Sequence, residues 1–284
     1  MPVAPSFSPA DLPGLPAGLH VVERPPPVGW ADHRGPVVVL VHGSLDRAAS
    51  FNRTLRRLPE GWGVVAYDRR GYQGSRRGPP VGVAGHVDDL LGVVRAYRAP
   101  GRPLTAIGHS MGGVVVMGAA VAEPGRFASV GVYEPPAPWV PVPRPEGSHA
   151  VPVVDGPEEQ AEVFFRQLMG DDTWARLPAA AQASRRADGP ALRAELTSVE
   201  ERPPPFDVTE LAVPALFGSG GPKSGTYRQQ RVAWLADHVR DGHHHRIEHA
   251  GHGAHLSHPG AFADFVRAAV ALGEPAGAPR APGG

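Results

Sequence analysis

The 284-residue chain contains no cysteine. Disulfides, thiolate nucleophiles and thiolate metal sites are therefore excluded, and cysteine usage leaves the redox compartment undetermined. Lysine is nearly missing too, since Lys223 is the only one and arginine carries the remaining positive charge. The 28 basic residues balance 28 acidic ones, and no basic block or basic amphipathic stretch stands out. Neither a nucleic acid nor a membrane surface is expected as partner. No apolar run approaches the roughly 20 residues of a membrane span. The N-terminal "MPVAPSFSPADLPG" lacks the basic and apolar regions of a secretion signal. These absences predict a cytoplasmic protein and leave its oligomeric state open.

What is present is a rhythm of short apolar runs and helical patterns. "PVVVLVHG" (36–43), "GVVAYD" (63–68), "LTAIGHS" (104–110), "SVGVYE" (129–134), "PALFG" (214–218) and "HHRIEH" (244–249) read as strands. The first is continuously apolar, as a strand covered on both faces should be. Helical stretches are expected near 47–58, 84–98, 112–123, 226–240 and 260–272. The alternation predicts an α/β fold with a mostly parallel central sheet and helices on both faces.

Residues 135–205 break the rhythm. They begin "PPAPWVPVPRP", end "ERPPPF", and hold helical patterns without a credible strand. "DGPEEQAEVFFRQLMG" carries Pro and two glutamates in its first turn, which suits the helix dipole. A helical insertion between Pro-rich hinges, following a strand end, reads as a cap over the sheet's C-terminal edge, where ligands of open α/β sheets bind. The expected division is an N-terminal arm (1–18), core (19–134), cap (135–205), core again (206–272) and a tail (273–284).

"GHSMGG" (108–113) is the strongest motif. It matches G-x-S-x-G between a predicted strand and a predicted helix, the context in which a serine hydroxyl is projected above the sheet. Ser110 is the expected nucleophile. The helix that follows offers free N–H groups to a developing oxyanion. His42-Gly43 ends the buried strand 36–43, so the N–H of Ser44 can join that of Met111 in an oxyanion hole.

"YDRRGYQGS" (67–75) follows the next strand, and "AGHGAHLSHPGAFADFV" (250–266) places a Gly-His pair before a Pro-led final helix. With these motifs the chain resembles the α/β-hydrolase family over about residues 35–134 and 207–272. The resemblance implies a Ser–acid–His triad without a cofactor, His252 as general base, and Asp68 and Arg69 as braces for the loops. The insertion would be a lid. Histidines crowd the region, and the spacing of His249, His252, His255 and His258 invites a metal reading. A turn and Pro259 end the segment, so no metal is expected there.

The family's usual acid sits in a G-x-x-D turn after the penultimate strand, and here that turn is Gly218-Ser219-Gly220-Gly221. Glu134 is the expected replacement. It ends the strand after the nucleophile strand, keeps the order Ser…acid…His, and matches the position used by some haloalkane dehalogenases and the zearalenone-type lactonases. Glu248, or no acid at all with Ser219 or a water in its place, remain as alternatives. The expectation is a serine hydrolase of a small, apolar ester or lactone. C–C bond hydrolysis, thioester cleavage, acyl transfer or cyclisation could use the same residues, and a non-catalytic ligand-binding protein could keep the scaffold. His42, Trp139, Phe164, Phe165, Met169 and Trp174 are candidate pocket residues, although the aromatic ones could equally form the insertion's own core.

Overall fold

The computed structural model describes residues 14–144 and 154–274. The expectations for 1–13, 145–153 and 275–284 lie outside them. Seven strands form one sheet: β1 (Val21–Arg24), β2 (Val37–Val41), β3 (Gly63–Tyr67), β4 (Leu104–His109), β5 (Ser129–Tyr133), β6 (Ala215–Gly220) and β7 (Gly242–Ile247). The spatial order is β1-β3-β2-β4-β5-β6-β7. All neighbours run parallel except β1, which lies antiparallel along β3.

The helices are α1 (Gly29–Asp32), α2 (Asn52–Leu55), α3 (Val83–Tyr97) and α4 (Met111–Ala122). Between β5 and β6 come α5 (Pro157–Met169), α6 (Asp171–Ala175), α7 (Ala179–Ala187) and α8 (Gly189–Val199). The chain closes with α9 (Thr226–His238), α10 (Ala254–Ser257) and α11 (Pro259–Leu272).

Period-two alternation decides which side chain reaches which face. Val37, Val39 and Val41 of β2 join a core with α3, α4 and α9. Val38 and Leu40 face the other way, into a core with Phe51, Leu55 and the apolar stripe of α11. Both faces are covered, which is why β2 reads as a continuous apolar run. At the edge, β7 stays half open, and its exposed Arg246 keeps charge on a strand that could otherwise pair with another chain. The insertion has a small core of its own, where Ala161, Phe165, Trp174 and Leu192 close on Leu45 and Tyr72.

Four details differ from expectation. β1 was not foreseen, because Glu23 and Arg24 fill half of a four-residue run. The helix expected over 47–58 is a 3-10 turn, Ala48–Phe51, followed by a single α turn, because Asp68 Oδ1 ties down the Ala48 N–H at 2.8 Å and bends the entry. β7 starts two residues early, so Glu248 and His249 fall in the turn beyond it. Leu15, within the expected arm, packs against the sheet's core.

Candidate active site

Ser110 sits at the sharp junction of β4 and α4, with φ 53° and ψ −123°. That conformation costs on the order of 1–3 kcal/mol for a residue with a Cβ, and such strain persists only when its surroundings enforce it. The flanking glycines do so. A Cβ on Gly108 would lie 2.3 Å from the Gly112 carbonyl oxygen, and one on Gly112 would lie 2.1 Å from that of Val41. Only glycine at both positions lets α4 start this close to β2 and β4. The Ser110 N–H is held by the Tyr133 carbonyl at 2.8 Å, which locks the turn to β5.

Glu134 stands one strand over, just past β5, also left-handed at φ 46°. Its carboxylate is buried, and both oxygens are engaged. Oε1 accepts the Gly220 N–H at 2.8 Å, and Oε2 lies 2.8 Å from His252 Nδ1. Burial by itself would raise the Glu134 pKa, but the hydrogen bond and charge of His252, with the Gly220 N–H, outweigh it and hold the carboxyl below its usual range. An Nδ1–H donated to a carboxylate leaves His252 Nε2 as the unprotonated nitrogen. Burial pulls the His252 pKa below its ordinary value, helped by Arg228 and His255 and opposed by Glu134.

The histidine loop is anchored by the residues that precede the other two members. His109, just before Ser110, places Nε2 2.7 Å from the His252 carbonyl. Tyr133, just before Glu134, donates its hydroxyl to the Gly251 carbonyl at 3.0 Å. The two strands that present Ser110 and Glu134 thus also fix the third residue. Among the described residues, Ser110 Oγ forms no hydrogen bond, and Ser110 and His252 line one cavity. Resting catalytic hydrogen bonds are commonly long and tighten only around substrate.

Glu248, the alternative acid, is 61% exposed and pairs with Arg246 at 3.1 Å. Ser219 Oγ is occupied by His244 at 3.0 Å. Neither reaches His252.

Ser44 and Met111 line the same cavity, and their N–H groups meet no backbone carbonyl among the described residues. A buried network beneath them holds the Ser44 turn. Ser44 Oγ donates to Glu195 Oε2 at 2.7 Å, and Glu195 is ion-paired with Arg69 and lies 3.1 Å from His86. Arg69 in turn donates to the His42 carbonyl at 2.9 Å, while Asp68 takes the N–H groups of Ala48 and Gly74. Glu195, on α8 of the insertion, was not singled out in the sequence. It lies 126 positions from Arg69, and nothing local marks it.

The cavity encloses about 970 Å³, between the strand ends and α5, α8 and α9. Of the candidate pocket residues only Phe164 lines it. Phe165 and Trp174 pack in the insertion's own core. Met169 projects to the surface, 49% exposed, because it ends α5 beyond the packed stripe. Trp139 stacks edge-on against Phe206 outside this cavity. His42 is wholly buried beneath the floor: its Nδ1 donates to the Gly43 carbonyl, its Nε2 accepts the Arg69 N–H, and burial with the Arg69 charge pushes its pKa down to about 4. Sequence reasoning also missed two arginines of α9, Arg228 and Arg231, on the cavity wall. Their spacing on a helix following a strand end at this edge was the available signal.

The four-histidine set suggested by spacing does not converge. Among the described residues, the potential ligand atoms that gather within 4.8 Å belong to Asp46, His109 and His255. Asp46 and His255 already pair at 3.0 Å, and His109 holds the His252 carbonyl, so these groups brace the loop.

Comparison with known proteins agrees with this fold. The sequence profile of the alpha/beta hydrolase family matches residues 38–265, and the chain belongs to that family. A human serine hydrolase-like protein is 36% identical over 89 residues, covering 30% of this chain and 43% of that protein. The mouse serine hydrolase-like protein is 33% identical over 89 residues, 30% of this chain and 28% of its own. The chain thus spans less than half the length of these relatives. Among solved structures, the enol-lactonase of Burkholderia xenovorans superposes with TM-score 0.64 at 19% identity, covering 89% of this chain and 96% of that one. A probable hydrolytic enzyme of Pseudomonas aeruginosa gives 0.68 at 17% identity, covering 88% and 89%. At such identities these likenesses establish the α/β-hydrolase fold. No described helix is long and apolar enough to cross a membrane.

Proposed function

We propose that the protein is a serine hydrolase of a small carboxylic ester or lactone, with Ser110 as nucleophile, His252 as general base and Glu134 as orienting acid. The observation that carries this reading is the 2.8 Å contact between His252 Nδ1 and Glu134 Oε2, in the cavity that Ser110 also lines. The helices of 157–199 would serve as its cap.

The chemistry runs in two halves. Ser110 Oγ bonds to the substrate carbonyl carbon while His252 Nε2 takes the hydroxyl proton. The oxyanion accepts hydrogen bonds from the N–H groups of Ser44 and Met111. The carbon–oxygen bond to the leaving group then breaks, and His252 returns the proton to the departing alkoxide. Water, deprotonated by His252, next attacks the acyl carbon, and His252 returns that proton to Ser110 Oγ as the carboxylic acid is released. For a lactone the two products are one hydroxy acid. Glu134 stays ionised throughout and stabilises the imidazolium. This route calls for no cofactor. The lactonase-type branch is favoured by Glu134 standing past β5 while the turn after β6 has no carboxylate.

Labelling with a fluorophosphonate tests the reading. Mass spectrometry is expected to find the adduct on Ser110 at neutral pH. An unlabelled Ser110 in folded protein would contradict it.

A further inference from the structure

Arg231 is 8% exposed, lines the cavity beside the candidate triad, and has no carboxylate within ion-pair distance among the described residues. Its Nε is buried without a hydrogen-bond partner. The guanidinium lies over the Tyr227 ring, 4.8 Å from its centroid. Glu134 is the nearby anion, but both of its oxygens are taken by Gly220 and His252. A buried charge is costly unless an opposite charge pairs with it. Tyr227 and the more distant charge of Glu134 ease that cost, but no carboxylate among the described residues forms an ion pair with Arg231.

Arg228 stands three positions earlier on the same helix, so the two side chains share a face. Among the described residues its Nη1 donates to the Ser224 carbonyl at 3.1 Å. The other arginines on the cavity wall are committed elsewhere. Arg193 caps the carbonyls of Val154 and Asp155, and Arg144 faces Glu200. From α5 and α8, Phe164, Leu168, Leu196 and Val199 bring apolar surface to the cavity, between polar groups such as Gln160 and Thr197. The cavity therefore combines the two arginines of α9 with apolar side chains of α5 and α8.

We propose that the substrate carries a free carboxylate, bound by Arg231 with Arg228, and that its hydrocarbon part lies against α5 and α8. A planar guanidinium fork matches a carboxylate in two parallel hydrogen bonds. This rests on the serine-hydrolase reading and narrows it from esters and lactones in general to those of half-esterified or lactonised dicarboxylic acids. Hydrolysis would release a product with one more carboxylate than the substrate.

The test compares mono-p-nitrophenyl glutarate with p-nitrophenyl pentanoate, equal in chain length and different in the terminal charge. Wild-type kcat/KM is expected to favour the glutarate ester on the order of ten- to a hundredfold, the usual worth of a charged hydrogen-bonded pair. In Arg231→Gln that ratio is expected to fall towards one. No wild-type preference, or a preference that survives Arg231→Gln, would overturn the proposal. Should Arg231→Gln fail to fold, wild-type inhibition decides: glutarate is expected to compete at concentrations at least tenfold below glutaramide, and equal potency would overturn it. Stronger inhibition by butyl phosphate than by glutarate would overturn the carboxylate class. Fluorophosphonate labelling and glutarate binding to Ser110→Ala, read by calorimetry, separate the two readings. A protein that labels but shows no glutarate preference keeps the hydrolase reading and loses this one. A protein that does not label yet binds glutarate through Arg231 does the reverse.

Discussion

The ends of β5 and β6 lie side by side at the same edge of the sheet and solve opposite problems. At β5 a carboxylate is forced into the left-handed region, at φ 46°, so that Glu134 turns under the histidine loop. At β6 every carboxylate is missing, and the chain runs Gly218-Ser219-Gly220-Gly221. The second end is not a slack remnant. A Cβ on Gly221 would come within 1.7 Å of the Glu248 carbonyl oxygen, so that position is closed to any side chain. Gly220 spends its N–H on Glu134 Oε1. The carboxylate that meets His252 stands past β5, one strand over, and the end of β6 supports it through the Gly220 N–H.

The largest disruption of this comparison is to put the acid back where the family usually carries it. Gly221→Asp is expected to lower stability by roughly 3 kcal/mol or more, because backbone must move to admit the side chain. Combined with Glu134→Gln it is expected to rescue no turnover. Thermal unfolding and p-nitrophenyl ester hydrolysis check both, and a folded, active double variant would show the two ends to be interchangeable.

A smaller effect concerns pH. His252 must be neutral to take a proton, so activity rises with pH as it deprotonates. Its pKa lies below the ordinary value of 6.5, through burial first and then Arg228 and His255, against Glu134. The acid limb of kcat/KM is therefore expected below that value, and Arg228→Gln should move it upward by removing a repelling charge. A limb at or above the ordinary histidine value, or one indifferent to Arg228→Gln, would contradict the electrostatics described for the site.

Tyr133→Phe removes one of the two anchors of the histidine loop while leaving Glu134 in place. A cost of about 0.5–1.5 kcal/mol in stability is expected, with a fewfold loss of kcat/KM and little change in KM. Smallest of all, Glu248→Gln should change stability by no more than about 0.5 kcal/mol and leave turnover as it was, since that side chain is exposed beyond β7.

Strands β2 to β6 were legible because each is a buried apolar run bounded by turn residues. Ser110 was legible because G-x-S-x-G fell between a strand and a helix. Glu134 could be placed at the right sheet edge from topology alone. What the sequence concealed was long-range: the Glu195–Arg69 pair, and the fate of the insertion's aromatics, of which only Phe164 reaches the cavity. Aromatic spacing on a helix shows that a face is buried, without showing against what. β1 was too short and too charged to stand out.

The most direct test of the account is the rate at which a fluorophosphonate modifies Ser110 in Glu134→Gln relative to wild type, at neutral pH and with folding verified. In serine proteases, losing the orienting carboxylate costs on the order of ten-thousandfold. A loss of three to four orders of magnitude on that scale is expected for Glu134→Gln, with Glu248→Gln unchanged. A Glu134→Gln rate within a few-fold of wild type would contradict the assignment of the acid to β5.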